Sequence, residues 1–381
     1  MKIAILGGGI SGLTAAWRLS HLLPKAQITL YEKSNRLGGY LETSETNGVL
    51  FEKGARTFRT TSCPSLLTLI REVGLGDDLI FSKPQKRYLW HKNALRSMGA
   101  LFAPHFWRLF LEPFVRAAKE EETVYSFFKR RLGKKAADLF ADPFCLGVFA
   151  GDSRSLSMSA CFPQIAKQRS LLFTPPSTLF TLQNGMQSLI DTLSQKLSIE
   201  IRLNTEITDL DSLEADAIFS ALPASALARL IPSFPKIESA SLSLVNLGFL
   251  KKFRFPHEGY GYLAPKEPLM GMIWDSNIFP QQNGIRLTAM IRAEISNPEE
   301  AALHALNTHL KINQSPDFIQ TTRINQAIPQ LVLGHVDRFA AWERTLSKKI
   351  HILGNFIIGP SVEQCVVRAE QKISIFTKSF L

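Results

Sequence analysis

An apolar strand at residues 3–6 runs straight into Gly7-Gly8-Gly9-Ile10-Ser11-Gly12, strand and helix patterning returns between residues 182 and 222, and apolar–polar alternation covers 241–295. Together these predict an α/β protein. The expected core is a Rossmann-like dinucleotide-binding domain built from discontinuous segments, 1–82 with 181–233 and 347–381. An antiparallel-sheet domain (83–94 with 234–346) and a helical subdomain (95–180) complete it. A chain of 381 residues has room for that many lobes, at roughly 100–200 residues per domain.

The first element starts almost at residue 1, which leaves no room for a removable targeting peptide and suggests a cytoplasmic protein. Gly7 permits the tight strand-to-helix turn, Gly9 lets backbone approach a pyrophosphate, and Gly12 allows close packing of helix on strand. Leu13, Ala16 and Leu19 then recur at helical spacing, so a helix N-terminus with free N–H groups faces the phosphates. A second strand, Ile28-Thr29-Leu30-Tyr31, ends at Glu32, where a carboxylate can accept ribose hydroxyls. Glu32-Lys33 is followed by Arg36-Leu37-Gly38-Gly39. That arrangement resembles the second signature of flavoproteins of glutathione-reductase type, and the resemblance implies FAD rather than NAD.

Later elements follow the same logic. Gly185-Met186-Gln187-Ser188-Leu189 opens a helix, Ile199–Leu203 and Ala217–Ala221 read as strands, and Ile350–Leu353 leads through a glycine turn to a closing helix from about Val362. From Leu95 to Leu172 the pattern is helical and aromatic. Phe102, Phe106, Trp107, Phe110, Leu111 and Phe114 are interleaved with Arg108 and Arg116, and Pro104 and Pro113 cut the stretch into short helices. It fits a peripheral contact with an anionic membrane as well as a subdomain that turns its aromatics inward. No apolar run reaches the ~20 residues that span a bilayer.

Lys and Arg exceed Asp and Glu by 44 to 33, so acidic partners are favoured. The basic residues are dispersed and no zinc-finger or RNA-binding signature accompanies them, which argues against nucleic acid. Cys63, Cys145, Cys161 and Cys365 lie far apart without a Cys-x-x-Cys pair, as reduced thiols do, and suggest neither a disulfide framework nor a metal site. Nothing in the sequence indicates an oligomeric state.

Several blocks, in order, extend the comparison beyond the first domain: Phe51-Glu52-Lys53-Gly54-Ala55-Arg56-Thr57-Phe58-Arg59, Asp142-Pro143-Phe144, Gly147 to Asp152, Trp274-Asp275-Ser276, Ile328-Pro329-Gln330 and Gly354-Asn355. The sequence resembles the flavin-dependent protoporphyrinogen oxidase family, within the amine oxidase and phytoene desaturase superfamily. Two departures stand out. The chain is shorter than is usual there, with Ile207 close to Leu213, and Gly359-Pro360-Ser361-Val362 replaces a more glycine-rich turn.

The resemblance implies a six-electron dehydrogenation of protoporphyrinogen IX, with dioxygen as acceptor and hydrogen peroxide released. The cofactor carries the hard chemistry and no protein residue is catalytic in the strict sense. It assigns Arg87 to a substrate propionate, which a guanidinium fork suits, Tyr260 and Leu263 to one side of the tetrapyrrole, Met290 to the other, and Gly147 to a backbone position beside the pyrrole nitrogens. For FAD it implies Gly7 to Gly12, Glu32, Lys33, Arg36, Gly39, Tyr40, Gly54, Ala55, Arg56, Thr57, Ile207, Asn355, Pro360, Ser361 and Val362. The alternatives are coproporphyrinogen III as substrate, another amine-oxidase- or desaturase-like reaction, and a flavin- or tetrapyrrole-binding protein without turnover.

Overall fold

The structure is a computed structural model; residues 1–83, 85–105, 107–111, 115, 121–168, 177–250 and 253–378 are described. Its first unit is a five-stranded parallel sheet in the order Glu200–Arg202, Gln27–Tyr31, Lys2–Leu6, Ala217–Ser220, Ile350–Ile352. Period-two alternation sends Ile3, Ile5, Ile28, Leu30, Ala217 and Phe219 to one face, against the helices Ile10–Leu22 and Val362–Thr377. Ala4, Leu6 and Ile218 take the other face with Leu213. The closing helix starts with a capping box in which the Ser361 hydroxyl accepts from Gln364 N–H, satisfying donors that the first turn leaves orphaned. Glu363 accepts from Ser65 and Leu66 N–H groups at 3.0 and 2.8 Å, which ties this helix to the start of Pro64–Glu72.

The second sheet has seven strands, in the order Phe318–Pro329, Ser239–Phe249, Ile285–Arg292, Leu269–Ile273, Gly261–Leu263, Arg87–His91, Ala94–Ser97. It departs from the expected all-antiparallel sheet at one place, because Gly261–Leu263 runs parallel to Arg87–His91. The chain enters Arg87–His91 directly from the first unit and reaches Gly261 only after the helical stretch and a second visit to the parallel sheet, so no hairpin links the two strands. Half-burial also fails for Ser239–Phe249, whose last eight positions are all buried. Val245, Leu247 and Phe249 pack toward Ala302, Ala305 and Leu306 of the helix Pro298–Thr308. Leu242 and Leu244 meet Leu146, Met270 and Met290 on the opposite face. Both faces of a central strand are therefore covered.

Helices between Met98 and Ala166, with Lys134–Phe149 the longest at 16 residues, form a third cluster around Phe127, Phe140, Phe149 and Leu156. Phe102 packs inward here, whereas Trp107, Phe110 and Leu111 are exposed. Phe106, Pro113, Phe114 and Arg116 lie outside the described residues. Among the described residues, no helix is long and apolar enough to cross a membrane.

Candidate active site

The two glycine signatures meet. Gly38 N–H donates to Gly8 O at 2.8 Å, and Gly9 bridges Gly38 in parallel register. Gly12 lies against the Gly7 carbonyl so closely that a Cβ there would stand 1.9 Å from the oxygen. The third strand of contact is Gly54, whose Cβ would fall 1.8 Å from Tyr40 O. Gly9 is different: its φ of −75° suits any residue, and within 4 Å an added Cβ would meet only Gly39 Cα, at 3.9 Å. The turn is thus packed tight from below and open at Gly9.

Glu32 Oε2 accepts from Gly8 N–H at 2.7 Å, while Oε1 accepts from Ser34 N–H at 2.9 Å and Ser34 Oγ at 2.8 Å. A carboxylate offers about four acceptor sites, so a further hydroxyl can be taken. Ile10 and Ser11 are buried in the helix, while Lys33, Gly39, Tyr40 and Ala55 are exposed. Arg36 pairs with Glu42 at 2.5 Å and donates to Gly39 O at 2.7 Å. Its side chain braces the second glycine pair.

Thr57 Oγ1 is buried without a hydrogen-bond partner, an orphan that an added polar ligand would satisfy. The loop before Ile207 is anchored at Glu32, where Thr205 N–H donates to Glu32 O at 2.9 Å. Ile207 itself packs on the sheet face away from the first helix. Asn355 is half-buried, Pro360 and Ser361 lead into the closing helix, and Val362 is buried against the first unit's core. The open position at Gly9, the spare acceptor capacity of Glu32 and the orphaned Thr57 hydroxyl fit a flavin dinucleotide laid along these segments.

Residues expected on the substrate side gather on one face of the seven-stranded sheet. One cross-strand row reads Leu89, Leu263, Gly271, Met290, Leu244, and the next reads Arg87, Gly261, Ile273, Thr288, Asn246. Cross-strand partners project to the same side, and the second row spans roughly 19 Å at about 4.8 Å per strand. Gly147, in the helix Lys134–Phe149, lies over the first row; a Cβ there would meet Leu263 Cδ1 at 3.1 Å. Arg87 sits over the Tyr260 ring at 4.6 Å. Arg87 remains exposed, but crowding by surrounding protein atoms, and then the positive charge of Arg59, lower its pKa, against a smaller opposing effect of Tyr260. The five expected substrate residues are therefore neighbours.

Sequence reasoning missed what lies at the other end of the row. Arg56 turns its guanidinium to the sheet, bonding Thr288 Oγ1 and facing Asp275 at 3.4 Å and Asn246 Oδ1 at 3.5 Å. Thr288 Oγ1 stands 2.7 Å from both Asp275 Oδ2 and Asn246 Oδ1. Arg286 is buried beside them, held by Gln282 Oε1 at 2.7 Å and Phe279 O at 3.1 Å. The available signal was chemical: Asn246, Arg286 and Thr288 interrupt the apolar runs 244–249 and 285–291, and a buried polar group needs partners.

Glu52 belongs to the same junction, accepting from Met186 N–H at 2.8 Å and Thr43 Oγ1 at 3.0 Å. Burial raises its carboxyl from 4.5 to about 7, outweighing those two donors and Arg56, with Asp275 adding to the rise. The folded state therefore binds the proton more tightly than the unfolded chain. This contribution to stability is full below pH 4.5 and is lost as pH climbs through about 7. Urea melts should show a drop on the order of 3 kcal/mol across that window that Glu52→Gln abolishes. A wild-type midpoint with the same pH dependence as the variant would refute this.

Two histidines are tied to backbone carbonyls. His335 Nε2 contacts Phe356 O at 2.7 Å, and His257 contacts Leu310 O at 2.9 Å. All four cysteines are buried and free, with burial pushing the Cys161 thiol up to about 12 and Cys365 to about 11. Among the described residues no group of three or more His, Cys, Asp or Glu side chains is placed to hold a metal.

The chain is similar to known proteins over nearly its whole length. The human protoporphyrinogen oxidase is 30% identical, the match covering 97% of each chain; that alignment runs over 465 positions, so this chain of 381 residues carries internal gaps. The coproporphyrinogen III oxidase of Bacillus subtilis is 23% identical, covering 98% of this chain and 97% of the relative. A solved structure from Exiguobacterium sp. 255-15 superposes with a TM-score of 0.88 over 99% of both chains at 21% identity, which speaks to the fold. Residues 10–279 match the family described as flavin containing amine oxidoreductase. The chain belongs to the flavin-containing amine oxidoreductase family.

Proposed function

We propose that this oxidoreductase uses FAD to convert protoporphyrinogen IX to protoporphyrin IX, with dioxygen as acceptor and hydrogen peroxide released. The observation that carries the reading is the meeting of two regions. Arg56, from the segment beside the glycine cradle, is bonded to the same sheet face that bears Arg87, Leu263 and Met290. FAD bound along Gly7–Gly12, Glu32 and Gly54–Thr57 supplies the two-electron acceptor for each of three dehydrogenations.

The chain's own residues bind and orient. Arg87, stacked on Tyr260, presents its fork to a propionate. Leu263, Met290 and Leu244 give an apolar wall that excludes water from the macrocycle. The missing side chain of Gly147 lets that helix come down on Leu263. Ile207, Asn355 and the Pro360–Val362 turn complete the cofactor assignment.

Initial rates with protoporphyrinogen IX and coproporphyrinogen III, read by product fluorescence, test the reading; no turnover of either would end it. Coproporphyrinogen III is the second reading, favoured by the Bacillus relative. Arg87→Ala should raise KM about tenfold with FAD content retained, the loss expected for one charge-assisted contact. An unchanged KM would remove Arg87 from the site. Peripheral membrane contact belongs to the same proposal. Exposed Trp107, Phe110 and Leu111 beside Arg108 support it, and co-sedimentation with anionic liposomes checks it.

A further inference from the structure

Arg59 lies outside every role assigned above. It occupies the two-residue strand Phe58–Arg59, which pairs antiparallel with Leu179–Leu182 and sets Arg59 opposite Leu179. Partners across a strand pair project to the same face. Leu179 is buried with Ile278 and Phe279, and Tyr260 and Ile273 pack on that cluster. On its other side Leu179 pairs with Ser82, five residues before Arg87. Arg59 therefore emerges on the side of the Leu179 cluster on which Tyr260 packs, near enough to Arg87 for the two charges to interact.

Neither arginine has a carboxylate partner among the described residues, and the two charges repel each other, Arg59 helping to lower the pKa of Arg87. Arg59 is exposed, so nothing in the core requires its charge. Two guanidinium groups without carboxylate partners at one rim of an apolar wall repel each other in the free protein, at a modest cost because both are exposed to water. A ligand carrying two neighbouring carboxylates offsets that cost. Ile273, which packs on the same cluster as Tyr260, belongs to the row that joins Arg87 to Thr288. The second cation thus borders the pocket wall itself.

We infer that Arg59 is a second carboxylate-binding residue of the substrate pocket, so that Arg59 and Arg87 together take two adjacent propionates on one edge of the tetrapyrrole. The inference rests on the porphyrinogen reading and deepens it. It requires a substrate whose two acidic side chains are neighbours, and predicts that esterifying them removes what the pair recognises.

The test uses the FAD-loaded full chain and the aromatic product as probe. Binding of protoporphyrin IX and of its dimethyl ester is followed by fluorescence for wild type, R59Q, R87Q and the double variant. R59Q should weaken diacid binding about tenfold, the loss of one charge-assisted pair, leave the ester unchanged, and raise the porphyrinogen KM with kcat within about twofold. Equal effects on diacid and ester, or none on either, overturn the assignment. If R59Q is purified without FAD, R59K replaces it: weakening confined to the diacid supports the pair, and anything else, including a second loss of FAD, overturns it. A wild type that oxidises neither porphyrinogen ends the functional reading instead, so the two failures are told apart.

Discussion

Gly9→Ala should purify as a folded, colourless protein, whereas Gly12→Ala should lose both flavin and stability. The difference comes from what each new methyl meets. At Gly9 the backbone is ordinary and an added Cβ finds only Gly39 Cα, 3.9 Å away, so the apoprotein accepts it. That methyl stands instead in the space through which the helix N-terminus reaches an anion. FAD affinity should fall about a hundredfold, comparable to losing one or two charge-assisted hydrogen bonds.

At Gly12 the obstacle is the Gly7 carbonyl oxygen, 1.9 Å from the new atom. A backbone atom cannot swing aside, so strand and helix must part, at a cost of about 1–3 kcal/mol in addition to the lost affinity. Thermal melts without FAD separate the two variants. An apo Gly9→Ala as unstable as Gly12→Ala would mean that the glycine serves the fold alone.

Asp275→Ala is expected to be the most damaging single change outside the cradle. Its carboxylate faces Arg56 at 3.4 Å and Thr288 Oγ1 at 2.7 Å, and the Arg56 and Asp275 side chains are only 9% and 12% exposed. Removing the acid leaves Arg56 buried near Arg286 without its ion-pair partner, and the accompanying release of Glu52 from the field of Asp275 offsets only part of that loss. Breaking a buried pair from one side costs about 3–5 kcal/mol. Asp275→Asn keeps an acceptor for Thr288 and should lose less. Because Arg56 joins the cofactor segment to the substrate sheet, bound FAD should fall with stability. Urea melts and the flavin absorbance of purified protein measure both, and a loss below 1 kcal/mol would show the pair to be incidental.

How much of this was legible beforehand depends on the range of the interactions involved. The strand–glycine–helix unit, Glu32 and the second glycine pair are written in consecutive residues, because a turn that passes close to backbone tolerates no side chain. The closing helix is likewise signalled by the strand and glycine turn before it, whereas its capping box of Ser361 and Gln364 emerges only in the structure. Arg87, Gly147, Tyr260, Leu263 and Met290 could be nominated from matching blocks, but their neighbourhood depends on a sheet register that joins residues up to about two hundred positions apart.

Local pattern therefore determined that this chain holds a dinucleotide turn at its start and alternates between nucleotide and sheet segments. Tertiary structure alone decided that Arg56 is bound to Thr288 and Asp275, that Ser239–Phe249 is covered on both faces, and that Gly261 pairs in parallel with Arg87. A strand's period of two says which side chains share a face, while which strand lies next to it is settled by burial and hydrogen-bond pairing across the whole fold.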